Sequence, residues 1–470
     1  MRGDLMTRHY ISLAALCLLL GACSQAAVTP APDEQAPQAA AAAATAVATA
    51  LAAPSPVVAP TAPASPPSDP AQPCTRLAPA GEPADDPAPT DIQAGFDGGE
   101  NTIVLSAGAG VSLPALSQAL DNPAALREIA PGEWLLGANI EVGDGASLQI
   151  AAPAVRWLKL RSDADGFVSI KARGGALAVR GSCVTSWDEE QGQVDTDHGD
   201  GRGFLLARSG GQMVIEGAEL RYLGHDANES YGLSWRLAGT SGRISDSIVS
   251  HLYYGMYSYE VSDLVIEDSE FHDNVLYGID PHTGSHRLRI ERNVVHNNGK
   301  HGIILADNCD DSVIRENIVY NNLHHGIVLY QGSDRNLVEG NEAFRNGAQG
   351  ININEAANNT VRANRVYENL EAGIGVGQGA KDNLLERNEI RANQEDGVLL
   401  YSEAAQTEIR DNQIGDNLRY GVYVDSDGGA RLAGNTIFGS QSGVHLKGAA
   451  EVSPDENKLY GNREGDITNG

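Results

Sequence analysis

From Tyr231 onward one short phrase keeps returning, a glycine followed by Leu, Met, Ile or Val. It stands at Gly232, Gly255, Gly278, Gly302, Gly326, Gly350, Gly373, Gly397, Gly421 and Gly443, in steps of 22 to 24 residues. An asparagine keeps the same beat at Asn293, Asn317, Asn341, Asn364, Asn388, Asn412 and Asn435, and a second runs through Asn322, Asn346, Asn369, Asn393 and Asn417. A repeat this short cannot bury its apolar face alone and must stack on its neighbours. Leucine-rich repeats share the period but require Leu-x-x-Leu-x-Leu, and helical repeats are longer. Here short β-branched runs alternate with Asn, Gly and Asp, the composition of strands and turns. The pattern predicts an all-β, single-stranded parallel β-helix of about 22–24 residues per coil, with the glycines at turns and the asparagines sharing amide hydrogen bonds between coils.

The stretch from Ile92 to Arg221 is less regular, yet "EWLLGANIEVGDGASLQI" and "LKLRSDADGFVSIKARGGALAVRG" read as earlier coils. "SLPALSQALDNPAALREI" offers a helix to cap the open end, where unpaired strand edges would otherwise be exposed. Residues 1–22 have a short basic start, an apolar core and a small-residue ending, the pattern of an export signal. The ending Leu-Gly-Ala-Cys resembles a bacterial lipobox, which makes Cys23 a lipid anchor and the only tie to a membrane. Residues 23–90 are rich in Ala and Pro and read as a spacer; residues 91–470 are the β-helix. In an exported chain Cys74 and Cys183 pair as a disulfide across the spacer boundary, and Cys309 reads as a small buried residue. A net charge of −29 excludes nucleic acid as a partner. No His/Cys set has zinc spacing.

Alternate side chains of a strand face opposite sides. That rule puts two columns on the outer face of successive coils: Ser234, Tyr257, Asp280, Ile304, Val328 and Asn352, and beside them Arg236, Tyr259, His282, Ala306, Tyr330 and Asn354. Strands are about 4.8 Å apart, so Arg236 falls about 10 Å from His282 along the face. Tyrosines suit sugar rings and arginine suits carboxylates, so an acidic polysaccharide is the expected ligand.

"YGIDPH" (Tyr277 to His282), followed by "KHGII" and preceded by "SWDEEQG" and "YLGHDANESYGLS", resembles the periplasmic mannuronan C5-epimerases, right-handed parallel β-helices acting on alginate. The resemblance implies that His282 abstracts the C5 proton of a mannuronate residue and that Asp280 belongs to the same motif. It also implies an alginate-like substrate, a periplasmic or outer-membrane location and other polysaccharide-export proteins as further partners. The chain departs from the family at two places: Thr283 stands where an Asp is usual, and Asp307 where an Arg neutralises the substrate carboxylate. An acidic residue one coil after the His resembles instead the secreted, calcium-dependent epimerases. No cofactor is expected, and calcium stays open.

The chemistry requires a base, a group to neutralise the carboxylate, and a donor that returns a proton from the other face. Histidine suits the base. Tyr277 or a tyrosine of the columns is the candidate donor, and Arg236, Arg287 and Lys300 are the candidate cations, Arg236 foremost. Tyr257, Tyr259 and Tyr330 are expected to contact sugar; His301 and His325 read as structural or rim residues. Two other functions fit the same residues: a polyuronate lyase, which begins with the same proton abstraction, and a non-catalytic polysaccharide-binding lipoprotein.

Overall fold

The computed structural model describes residues 70–77, 91–426, 428–447 and 456–470. The signal segment 1–22, the anchor candidate Cys23 and the rest of the spacer lie outside the described residues.

The described residues wind as a parallel β-solenoid of about 14 turns with almost no helix. Each regular coil gives three short strands. Ile279–His282, Arg289–Glu291 and Val294–His296 pair in parallel with Ile303–Ala306, Val313–Arg315 and Ile318–Tyr320 of the next coil. Inward residues of all three strands build the core: Ile279, Ile290 and Val295 are fully buried and stack on Ile303, Ile314 and Val319, and Leu305 adds a second inward residue to its strand. Such a side chain contributes about 1.5–3 kcal/mol when removed from water.

The asparagines are inward and buried. Asn317 Nδ2 donates to Asn341 Oδ1 at 2.9 Å and to Ile290 O at 2.9 Å, while its Oδ1 accepts from the Asn293 backbone N–H at 2.9 Å. Every amide in the ladder thus meets its neighbours without water, which buried amides require.

The repeat glycines do not serve as turns. Their φ values are negative or extended apart from Gly232; the left-handed positions are the residues before each ladder asparagine, including Arg292 (φ 54°), Glu316 (56°) and Ala363 (55°). The glycines are needed for close approach instead. A Cβ on Gly278 would lie 2.5 Å from Val295 Cγ1, 2.7 Å from Gly302 O and 2.9 Å from Asn298 Nδ2.

The N-terminal end is capped by an antiparallel pair, Gln93–Asp97 on Thr102–Ser112, and by the helix Leu113–Leu120. Ser112 accepts from the Ala115 N–H, and Leu113 and Leu116 are buried. The helix is shorter than the sequence suggested. It stops at Asp121, which is left-handed, ahead of Pro123, and Leu126–Ala130 is a strand antiparallel to Glu133–Leu136. Cys74 and Cys183 are joined with 6.1 Å between their Cα atoms. Thr75 and Arg76 donate their N–H groups to the Glu219 carboxylate at 2.8–3.0 Å, so this part of the spacer is docked on the solenoid flank. Cys309 is buried, and burial pushes its thiol up.

Candidate active site

Backbone pairing sets the site. Tyr257 lies opposite Asp280, and Tyr259 opposite His282. Ser234 and Arg236 pair with those tyrosines one coil earlier; Ala306, Tyr330 and Asn354 continue the His282 column. The outer face therefore carries the two columns that strand alternation predicts.

The first column is a covered floor. Asp280, Ile304, Val328 and Asn352 point outward yet are 6% exposed or less. The covering comes from the residues that precede the repeat glycines. Tyr231, Tyr254, Tyr277, His301 and His325 follow one another at centroid distances of 4.7, 5.1, 5.4 and 5.1 Å, the first two contacts tilted and the last two stacked. Gln349 continues them and reaches over the floor to accept from Asn352 Nδ2 at 2.6 Å. Tyr277 precedes Asp280 along the strand and His282 follows it, so this aromatic bank and the histidine stand on opposite sides of the floor. Sequence reasoning missed Tyr231, Tyr254 and Gln349. Their signal was present, because the position before each repeat glycine is periodic and aromatic-rich.

Both Asp280 carboxylate oxygens are buried with no hydrogen-bond partner among the described residues. Burial raises this acid to about 8, against a modest pull from Lys300. Asp280 is thus held neutral around pH 7 and makes no hydrogen bond to His282.

The orienting group is Thr283. His282 Nδ1 lies 2.7 Å from Thr283 Oγ1, and that hydroxyl donates to Asp307 Oδ2 at 2.9 Å. A hydroxyl has one proton. With it committed to Asp307, Oγ1 accepts from His282 Nδ1–H, and the imidazole keeps a free lone pair on Nε2. Burial holds His282 below its ordinary value, with Asp307 opposing and Arg236 assisting the shift. The ring is therefore a neutral base of fixed tautomer. Thr283 sits at φ 28°, an unfavourable conformation for a β-branched residue.

The candidate cations separate clearly. The Arg236 guanidinium lies 5.2 Å from the Tyr257 ring and 4.9 Å from the Tyr259 ring, and its buried Nη1 has no hydrogen-bond partner among the described residues. Tyr257 in turn stacks on His282 at 5.8 Å. Lys300 lies 5.3 Å from the Tyr277 ring, on the other bank. Arg287 does not join the site. Its φ of 54° turns the chain off the face, and its exposed guanidinium forms two 2.9 Å hydrogen bonds to Asp263. Tyr330 is half-buried beside Ile304 and Val328.

His301, His324 and His325 bring ring nitrogens within 4.8 Å of one another. The surroundings do not suit a metal. His301 Nδ1 accepts from the His325 N–H (3.3 Å) and His325 Nδ1 from the Gln349 N–H (3.1 Å), which leaves the proton of each neutral ring on Nε2. A ligating histidine has the opposite arrangement, donating its second nitrogen outward. Asp307, the acid one coil after His282, accepts from Thr283 and Asn308, and the neighbouring Asp310 and Asp311 are paired with Arg335 at 2.9 and 2.8 Å.

A family model described as a right handed beta helix region matches residues 202–355, and one described as periplasmic copper-binding protein (NosD) matches residues 333–465. The latter stretch has one histidine, His445, and no Cys or Met, so it lacks the soft donors that copper selects. The mannuronan C5-epimerases of Pseudomonas aeruginosa and Pseudomonas putida are 34% and 35% identical over 185 and 181 residues. Each match covers 36% of this chain, and the chain spans about a third of the curated relatives' length, 33% and 34%. A crystal structure of a mutant of the periplasmic alginate epimerase AlgG superposes with a TM-score of 0.65 at 25% identity, over 78% of this chain and 85% of that one. Fold and site define a right-handed parallel β-helix with an imidazole base beside a tyrosine-lined track. Within that class, the chain is similar to the periplasmic alginate epimerases.

Proposed function

We propose that the protein is a mannuronan C5-epimerase, converting mannuronate to guluronate within an alginate-like polymer. The observation that carries this reading is the His282–Thr283–Asp307 chain, which leaves Nε2 as a free base across the floor from the tyrosine bank. A proton beside a carboxylate is weakly acidic, so its removal needs a cation on that carboxylate and a base within reach. Arg236 supplies the charge from between Tyr257 and Tyr259, and His282 Nε2 takes the C5 proton. Reprotonation comes from the other bank, where Tyr277 and Tyr254 stand. Burial and Asp280 push Tyr254 up, so that its hydroxyl stays protonated and able to donate. Neutral Asp280 beneath the sugar adds no negative charge to repel the enediolate.

The periplasmic relatives support export of this chain to the same compartment, where Cys23 tethers it by lipid. No metal enters the reaction, and other polysaccharide-export proteins are the expected neighbours.

Incubation with polymannuronate tests the reading. Guluronate signals in the proton spectrum without chain scission are expected, and they should vanish in His282→Ala. Unsaturated ends absorbing in the ultraviolet would mark a lyase, and polymer binding without turnover a binding protein; either outcome removes the proposal.

A further inference from the structure

Arg236 is the last rung of a longer series. Strand pairing puts Arg173 opposite Arg208, Arg208 opposite Arg236, Arg236 opposite Tyr259, and Tyr259 opposite His282. Three guanidinium groups thus occupy consecutive coils of the catalytic column in a chain of net charge −29. Lys171 stands two residues from Arg173 on the same face, and both line a cleft of about 370 Å³ at the far end of the run, together with the carboxylates of Asp97, Glu100 and Glu141. On the other side of His282 the same column reads Ala306, Tyr330, Asn354 and Gly377, without a charge. It runs on past Tyr401 to Asp425, whose carboxylate is paired with Lys447 at 2.8 Å.

The arginines are only partly satisfied. Arg208 pairs with Glu229, and Arg173 lies 3.4 Å from Glu141. Each guanidinium has five N–H donors, and one carboxylate meets two at most. Arg208 Nε and Arg236 Nη1 are buried without a hydrogen-bond partner among the described residues. One coil advances about 4.8 Å, close to the advance of one sugar in an extended 1,4-linked chain. Arg236, Arg208 and Arg173 then fall about 10, 14 and 19 Å from His282.

We propose that the coils preceding His282 form an anion ladder that takes consecutive carboxylates of a uronic-acid polymer, so that charge is read on one side of the reacting sugar only. The inference rests on the polyuronate substrate proposed above and adds direction and length to it. A chain of about five sugars fills the ladder as far as Arg173, and on the other side of the reacting sugar a neutral chain suffices.

The test uses mannuronate trimer and hexamer with Arg173→Gln, Arg208→Gln and the double variant. Lys447→Gln, on the far side of the site, is the control. The double variant should raise KM for the hexamer by about tenfold, the equivalent of about 1.4 kcal/mol, and flatten its dependence on salt. Its kcat, its KM for the trimer and all constants of the control should stay within about twofold of wild type. Equal effects on trimer and hexamer, or none on either, would overturn the ladder. Arg→Lys versions guard against misfolding, since they retain charge and should lie between wild type and Gln. Calorimetric titration with polymannuronate and with neutral β-1,4-mannan separates the two readings. Arginine-dependent binding of polymannuronate without turnover sinks the epimerase and keeps the ladder; turnover with KM indifferent to the arginines does the reverse.

Discussion

Thr283→Val isolates the step on which the base depends. Valine has the shape of threonine and the same β-branching, so it meets the same strain at φ 28° and loses only the hydroxyl. Two hydrogen bonds go with it, 2.7 Å to His282 Nδ1 and 2.9 Å to Asp307 Oδ2. Hydrogen bonds involving a charged group contribute about 1.5–3 kcal/mol. If that energy holds the Nδ1–H tautomer, its ratio to the Nε2–H tautomer falls by about ten- to a hundredfold, a factor of ten per 1.4 kcal/mol. The expected result is a severalfold fall in kcat on polymannuronate with KM little changed, and near-normal activity in Thr283→Ser. Nitrogen-15 spectra of histidine-labelled protein, with the His282 signal assigned by its loss in His282→Gln, report the tautomer directly without substrate. Because Asp307 acts through Thr283, Asp307→Asn should lower kcat in the wild type and add little in the Thr283→Val background, a coupling that a double-mutant cycle measures. A kcat for Thr283→Val within about twofold of wild type, or an unchanged tautomer, would refute the relay.

Asp307 raises the His282 pKa against the effect of burial, so Asp307→Asn should shift the acid limb of kcat/KM to lower pH. Asp280 is held at about 8, above the ordinary carboxylate value of 3.8. The folded state binds the extra proton between those values, so its contribution to stability is complete below about 3.8 and is lost as pH rises towards 8. Asp280→Asn should therefore remove that slope and melt higher than wild type at pH 9, whereas parallel melting curves would contradict it. Cys183→Ser opens a loop between residues 109 apart and should cost about 2–5 kcal/mol of stability, read by thermal melting, with kcat unaffected. Chelation by EGTA should leave turnover unchanged, since Asp307, Asp310 and Asp311 already have protein partners.

The coil period and the two outer columns were legible because both follow from local rules, a 22–24 residue step and side-chain alternation. Those rules are indifferent to what covers a face. Asp280 lies where alternation puts it, yet its protonation comes from burial in a crowded site, which alternation does not report. Arg287 fits the composition of a carboxylate-binding site, but a left-handed residue turns it away. The repeat glycines were assigned to turns because turns are glycine's commonest use; here contact with the next coil excludes a Cβ, a reason that periodicity alone does not distinguish.

Thr283 and Asp307 illustrate what a solenoid does to sequence distance. Residues 24 apart meet through one hydrogen bond, because the coil brings them as close as residues on neighbouring strands. An acidic group needed beside an imidazole can therefore sit on the next coil, provided a hydroxyl bridges the gap. Read along the chain, Thr283 and Asp307 are two separate losses, of a motif acid and of a carboxylate-binding arginine. Read across the coils, they make one orienting unit, and the cation that the proposed reaction requires is Arg236, two coils from His282 on the side away from Asp307. The substitutions are thus coupled by geometry: an acid at 283 would face Asp307 directly, and an arginine at 307 would offer no acceptor for the Thr283 hydroxyl proton.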